Sequence, residues 1–126
     1  MTQFKRPSAF QVKTLSADDS YNLTCGSSLK AHIEGITYDD IVAILGEPTH
    51  AEPSGDNKVQ FEWDCFIKHR DGFSGDVVTL YDWKTYDREH SRYELDHWNI
   101  GGFDRTSAEN LRKYLLGRLE ELKESV

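Results

Sequence analysis

Apolar and polar residues alternate along the middle of the chain, and this alternation predicts antiparallel strands. Across residues 58–68, apolar side chains occupy every second position from Val59 onward, which places them on one face of a strand. A return strand with the same alternation is predicted over 76–84, after a glycine-containing hairpin loop at 70–75. A third strand is predicted over 94–100. Together the three segments predict an antiparallel meander.

Two shorter strands are predicted closer to the N-terminus. Residues 10–15 alternate apolar and polar positions with a period of two, which is typical of a half-buried strand. Residues 21–25 form a second candidate strand, before a Gly-Ser-Ser turn at 26–28. Residues 1–7 show no such pattern, so we expect them to form a loose tail.

Capping residues and apolar spacing predict one short and one long helix. Thr37 precedes two aspartates and an apolar stripe, and Gly46 with Pro48 ends that stripe after about ten residues. Near the C-terminus, Thr106 opens a Thr-x-x-Glu capping box, followed by leucines at helical spacing. The leucines expected to pack on the sheet are Leu111, Leu115, Leu119 and Leu122. The polar segment 85–91 between the last two strands is predicted to be a loop.

These elements predict an α+β fold, in which an antiparallel sheet of three to five strands carries one short and one long helix. The length of 126 residues fits a single domain over 1–126, with 1–7 as its tail. Such a chain can bury a core without disulfides or a structural metal.

The balance of charges changes which partners are plausible. The chain has 15 basic and 22 acidic residues, a net charge of −7, which disfavours attraction to a phosphate backbone. Cys25 and Cys65 show no paired spacing, so free thiols in a reducing compartment are predicted. The sequence has no apolar run long enough for a membrane span. We therefore predict a cytoplasmic protein without membrane contact.

The tripeptide Asp82-Trp83-Lys84 raises a catalytic hypothesis. In metal-dependent nucleases of the PD-(D/E)xK kind, one strand carries an acidic residue. The next strand carries a second acidic residue, with a lysine two positions after it. The acids bind a divalent ion and the lysine orients the attacking water. Under this hypothesis the catalytic residues are Asp64, Asp82 and Lys84, and the metal ligands are Glu62, Asp64 and Asp82.

Other features argue against the nuclease hypothesis. A tryptophan stands before Asp64 where these nucleases have a proline, and the net charge repels DNA. The favoured alternative places Glu62, Asp64, Asp82 and Lys84 on a solvated sheet face, where they form exposed ion pairs. On that interpretation there is no catalytic residue and no metal ligand.

The histidines offer a second candidate for metal binding. They are scattered, without an HxH or HExxH spacing, but Glu89-His90 and Asp96-His97 each place an imidazole beside a carboxylate. This combination suits zinc or manganese. Surface histidines are the favoured interpretation, and no cofactor is predicted.

Aromatic residues are dense in the meander and suggest a binding surface. Most are expected to form the core, because aromatic residues at alternating strand positions are usually buried. The candidate binding residues are Phe66, Phe73, Trp83 and Trp98. Such rings contact protein partners, and they also stack with nucleotide bases.

Four short motifs resemble those of a family of small proteins encoded by bacteriophages. They are the Gly-Glu-Pro-Thr of 46–49, the Glu-Trp-Asp of 62–64, the Tyr-Asp-Trp-Lys of 81–84 and the Trp-Asn-Ile-Gly-Gly of 98–102. The resemblance spans roughly residues 36–115. It implies a phage accessory protein, which would act in the host cytosol, and it brings no agreed activity with it.

The favoured functional hypothesis is therefore a small acidic binding protein with an accessory or counter-defence role. It would act by occupying a surface of a host or viral macromolecule. A protein partner is expected and nucleic acid is not, whereas self-association into a homo-oligomer is left open. The alternatives are the metal-dependent nuclease and a protein that sequesters a small nucleotide signal between aromatic residues.

Overall fold

The structure is a computed structural model, and it describes residues 11–68 and 75–124. The predicted tail 1–7, most of the hairpin loop, His69 and Phe73 lie outside the described residues. Five strands and four helices are present in the described ranges. In chain order they are β1 (Gln11–Thr14), α1 (Ala17–Ser20), β2 (Ser28–Glu34), α2 (Tyr38–Leu45), β3 (Glu62–Lys68), β4 (Gly75–Tyr81), α3 (Arg88–Tyr93), β5 (His97–Gly102) and α4 (Arg105–Glu124).

The five strands form one antiparallel sheet in the order β1-β3-β4-β5-β2. In its centre Trp63 lies opposite Leu80, which lies opposite Ile100 on the next strand. This arrangement confirms the predicted α+β class and the meander of β3, β4 and β5. Strand β3 begins at residue 62, four residues later than predicted, and β4 ends at residue 81, three residues earlier than predicted. The reason is that the N–H groups of Gln60 and Phe61 donate to the Asp82 side chain and not to a strand.

Three predictions about elements are wrong. The predicted strand 21–25 is a series of turns after α1, and the strand of this region is β2. The predicted loop 85–91 contains most of α3, because Asp87 caps it by accepting a hydrogen bond from the His90 N–H at 3.1 Å. The third meander strand starts at 97, since residues 94 and 95 both donate to the His90 carbonyl and end α3.

The hydrophobic core lies between one face of the sheet and the helices α2 and α4. Trp63 is fully buried there, with its ring 5.5 Å from Tyr38 and 5.6 Å from Trp98. Its indole N–H donates to the Gly46 carbonyl at 2.9 Å, which ties β3 to the end of α2. As predicted, the C-terminal helix packs on the sheet. Its core residues are Leu111, Leu115 and Leu119, with Leu122 partly buried.

The two principal helices differ in how well their starts were predicted. Thr37 caps α2 in a reciprocal capping box with Asp40, which confirms that prediction. Helix α4 begins at Arg105, two residues before the start that a cap at Thr106 predicts. Asp104 accepts hydrogen bonds from the Ser107 N–H at 2.7 Å and the Ser107 hydroxyl at 3.1 Å, so Asp104 and not Thr106 is the cap.

The opposite side of the sheet, here called the second face, carries the side chains of Glu62, Asp64, Thr79 and Tyr81. The segment 17–27 lies along this face, since its residues border the same cavities as these side chains. Polar groups are thus enclosed between the sheet and this segment. In the part of the chain that the structure describes, none of the helices combines the length and the apolar character that crossing a bilayer requires.

Candidate metal centre

Three potential metal ligands converge on the second face. Glu62 and Asp64 stand two positions apart on β3, so both side chains point to the same side of the sheet. His50 lies outside the five strands but forms an isolated antiparallel bridge with Glu62, through hydrogen bonds of 2.9 Å and 3.0 Å. Residues paired in this way carry their side chains on one face. One ligand atom from each residue lies within 4.8 Å of the other two.

Asp64 is the most deeply buried member of the three. Its backbone N–H donates to the Thr49 hydroxyl at 2.9 Å, and its carbonyl accepts from the Leu15 N–H at 2.8 Å. Its Oδ2 atom lies 3.0 Å from Nε2 of His50, whose side chain is 46% exposed. Among the described residues, Oδ1 of Asp64 is a buried side-chain atom without a hydrogen-bond partner. An orphaned buried oxygen is unfavourable by about 1–3 kcal/mol, and by more when it is charged.

Glu62 lies close enough to Asp64 for their charges to interact strongly. Burial, together with the neighbouring Asp64, raises the pKa of Glu62 to about 9. Two ionised carboxylates cannot donate to each other, whereas a protonated Glu62 donates a hydrogen bond to Asp64. The pair therefore needs a positive charge between its oxygens, which either a proton or a metal cation can supply.

The spacing and ligand types fit a small divalent ion. Bonds of about 2.0–2.2 Å in a tetrahedral arrangement hold ligand atoms roughly 3.3–3.6 Å apart, so ion binding requires the three side chains to move closer together than their present limit of 4.8 Å. One imidazole nitrogen with two carboxylate oxygens suits zinc or manganese. Three protein ligands leave at least one coordination position open. A cavity of about 570 Å³ adjoins this position, bordered by His50, Glu62, Ala51 and Val59.

Asp82 does not belong to this group, contrary to the predicted ligand set. Its Oδ1 accepts from the N–H groups of Gln60 at 2.8 Å and Phe61 at 3.0 Å. Its Oδ2 accepts from the hydroxyls of Ser91 at 2.7 Å and Thr85 at 3.3 Å. The Thr85 and Ser91 hydroxyls also lie 2.8 Å apart, so at least one of them donates to Asp82 together with the two N–H groups. Both oxygens of this buried carboxylate are thereby satisfied, so Asp82 joins the residues before β3 to α3 and is not available for an ion.

The catalytic arrangement that the nuclease hypothesis needs is not formed. Lys84 is exposed, with its ammonium 5.7 Å from the centre of the Trp83 ring. The favoured alternative, in which the acids form exposed ion pairs, is also wrong. Asp64 and Asp82 are buried and Glu62 is half-buried. Leu15, Thr49 and His50 contact Asp64, and Ser91 of α3 contacts Asp82.

The candidate binding residues fall in different environments. Trp83 is 47% exposed and Phe66 is partly buried on the second face. Trp98 is buried in the core, and its indole N–H donates to the Ile36 carbonyl at 2.9 Å. Its ring is part of the core in this structure, and a role for it as a binding residue stays a prediction. Phe73 lies outside the described residues.

The histidine pairs expected from adjacent residues do not gather further ligands. His90 contacts Glu94 at 3.3 Å and not Glu89, and His97 contacts Asp96 at 3.5 Å. Within the described residues, the one group of three potential ligands is that of His50. Burial raises the pKa of the Cys65 thiol to about 12, so this core cysteine is poorly reactive as a nucleophile or metal ligand.

His50 is the site residue that the sequence pattern did not indicate. Glu62 and Asp64 were recognisable as neighbours on one strand face. The position of His50 depends on the chain after α2 folding back to form a single bridge, which has no periodicity in the sequence. Thr49 beside it supports the site by contacting the backbones of Leu15 and Asp64.

Comparisons with known proteins leave function to be inferred from this geometry. The chain matches no family model, no curated protein and no solved structure. The resemblance to bacteriophage-encoded proteins therefore stays a prediction. What the chain itself supplies is a buried carboxylate pair joined by an imidazole at the edge of a cavity.

Proposed function

We propose that this protein binds a divalent metal ion, Zn²⁺ or Mn²⁺, through His50, Glu62 and Asp64. The observation that carries the proposal is the convergence of these three side chains on one point, where Oδ1 of the buried Asp64 has no donor other than the proton that Glu62 carries. A cation at this point gives that oxygen a partner and neutralises the carboxylate pair. The open coordination position would then bind water or an oxygen donor in the adjoining cavity.

The favoured ions follow from the mixed donors. A purely carboxylate site would favour Mg²⁺ or Ca²⁺, but the imidazole shifts preference towards Zn²⁺ and Mn²⁺. The ion would replace the contact between His50 Nε2 and Asp64 Oδ2 at 3.0 Å, and it would displace the proton of Glu62, because ligand carboxylates are ionised. Thr49, which holds the Asp64 backbone, would keep this ligand in place as a supporting residue.

Calorimetric titration with Zn²⁺ and Mn²⁺ after removal of metal by a chelator tests the proposal. We expect one ion per chain, and a melting temperature that rises with ion concentration through linkage. His50→Ala should lose this binding. His97→Ala is a matched control because His97 is exposed and, within residues 11–68 and 75–124, its one acidic contact is the neighbouring Asp96.

Asp64→Asn separates the loss of the site from general misfolding. The amide keeps the shape of the side chain, and its NH₂ group donates to an ionised Glu62 where Asp64 accepts the proton of Glu62, so the metal-free variant should melt close to the temperature of the natural protein. Its melting temperature should no longer respond to the ion. If His50→Ala and Asp64→Asn keep the affinity of the natural protein, the proposed ligands are wrong.

The role as a binding protein for a host or viral macromolecule stays a prediction. Of the residues expected to carry it, Trp83 is the most exposed in the described part of the chain. Metal binding and a macromolecular partner do not exclude each other, since His50 and Trp83 border different cavities.

A further inference from the structure

A second cavity lies on the second face, on the other side of Glu62 from the metal centre. Its volume is about 220 Å³, which is smaller than the roughly 300–1,000 Å³ of typical drug-sized pockets. Hydroxyl groups and two aromatic rings line most of it. These residues are Thr24, Ser27, Ser28, Thr79, Tyr81 and Trp83. The size suits one flat heterocycle with part of a sugar.

Trp83 forms the exposed wall of this cavity. Its ring is 47% exposed, while the other two tryptophans are buried in the core. Tyr81 meets it edge to face, with ring centres 6.2 Å apart. Edge contact from Tyr81 fixes the indole without covering all of its face, and an open indole face is a stacking surface for a base.

Two lysines surround the Trp83 ring. The ammonium groups of Lys58 and Lys84 lie 5.8 Å and 5.7 Å from its centre. The Lys84 N–H donates to the Lys58 carbonyl at 2.7 Å, so the backbone holds both lysines beside the indole. Lys84 adopts a left-handed conformation with φ of 56°, which is uncommon for a residue other than glycine. Asp56, 3.8 Å from Lys58, neutralises part of this charge and leaves the Lys84 ammonium available.

The charged groups in and around the cavity suggest an orientation. Glu62 is part of the wall, where a phosphate would meet a carboxyl group. Lys58 and Lys84 do not line the cavity, but their ammonium groups lie over the Trp83 ring that forms part of its wall. An uncharged base fits the cavity itself, with hydroxyls of Ser27 and Thr79 as donors and acceptors for its edge. The phosphate fits outside the cavity, beside the two lysines.

We propose that this cavity binds a nucleoside 5′-monophosphate, with its base against Trp83 and its phosphate between Lys58 and Lys84. Binding depends on the stacked base and on the two ammonium groups together. Because Ser and Thr hydroxyls both donate and accept, discrimination between bases should be weak. The site is separate from the metal ligands apart from the shared wall at Glu62.

The test is a titration of the metal-free protein with adenosine and uridine 5′-monophosphates, in a chelator so that the metal centre takes no part. Binding should quench tryptophan fluorescence, since only Trp83 among the three tryptophans is exposed. Trp83→Ala should abolish binding measured by calorimetry. Tyr86→Ala is the matched control, because Tyr86 is exposed on the same loop and does not border the cavity.

The lysines are tested by the double variant Lys58→Gln, Lys84→Gln. We expect it to weaken binding of the monophosphates about tenfold or more and to leave binding of the free nucleosides unchanged. Lys113→Gln, an exposed lysine on α4, is the control for net charge. The proposal is overturned by no binding at millimolar nucleotide, by equal binding in Trp83→Ala, or by equal binding in the double variant. Tighter binding of a short single-stranded oligonucleotide than of the mononucleotides would also overturn it.

Discussion

At the scale of single residues, Asp64 and Asp82 show how equal burial can have opposite consequences. Both carboxylates are almost inaccessible to solvent. Asp82 accepts from two backbone N–H groups and from the Ser91 hydroxyl and therefore stabilises the fold, whereas one oxygen of Asp64 has no donor in the described structure other than the proton of Glu62. Asp64 is the one that points to a ligand, because the pair it forms with Glu62 needs either a proton or a cation between its oxygens.

Replacing Asp82 by alanine should destabilise the protein strongly. The change leaves the N–H groups of Gln60 and Phe61 buried without their acceptor, and hydrogen bonds to a charged group are each worth about 1.5–3 kcal/mol. We expect the free energy of unfolding to fall by about 3 kcal/mol or more in urea titrations. Asp96→Ala, which removes an exposed carboxylate, should change it by less than about 1 kcal/mol. Equal effects of the two variants would show that Asp82 is not a structural anchor.

Glu62 should make the stability of the metal-free protein depend on pH. Its pKa is raised from 4.5 to about 9 in the folded protein, so the unfolded chain releases this proton first as pH rises. The contribution of Glu62 is therefore fully present below about pH 4.5 and is lost progressively up to about pH 9. We expect Glu62→Gln to remove this loss, as measured by urea unfolding at pH 5, 7 and 9 in a chelator. Parallel pH profiles for the two proteins would contradict the assignment.

At the scale of elements, alternation and capping predicted those parts of the fold whose signals are local. The alternating residues around Trp63 identified β3, and Thr37 identified the start of α2. Strand β2 was not predicted, although Ala31 and Ile33 alternate with polar residues. The sequence instead suggested a strand over 21–25 followed by a turn at 26–28. The six residues of α3 are too few to show a helical period, and only the cap at Asp87 indicates them.

The start of α4 offers a prediction that separates two candidate caps. Asp104→Ala should lower the free energy of unfolding by about 1 kcal/mol, because its carboxylate accepts both hydrogen bonds from Ser107. Thr106→Ala should change it by less than about 0.5 kcal/mol, since Thr106 is an exposed residue within the first turn. Thermal unfolding of the two variants distinguishes them. A larger effect at Thr106 would restore the capping box expected from the sequence.

At the scale of the whole molecule, the two faces of the sheet differ in composition and in what they pack against. One face packs against α2 and α4 and forms the core, while the second face and segment 17–27 enclose the polar groups of both proposed sites. The site was only partly predictable for this reason. The spacing of Glu62 and Asp64 predicts that they share a strand face. His50 lies beside them only because the chain after α2 folds back to form a bridge with Glu62. Asp82 is instead engaged in a hydrogen bond with Ser91 of α3.

Anomalous X-ray diffraction from crystals grown with Zn²⁺ is the most direct test of the metal centre. Data collected at the zinc absorption edge should show one strong peak between the side chains of His50, Glu62 and Asp64, about 2.0–2.2 Å from each ligand atom. The same crystals of Asp64→Asn should lack that peak. A peak at His90 or His97 alone, or no peak in the natural protein, would contradict the proposed function.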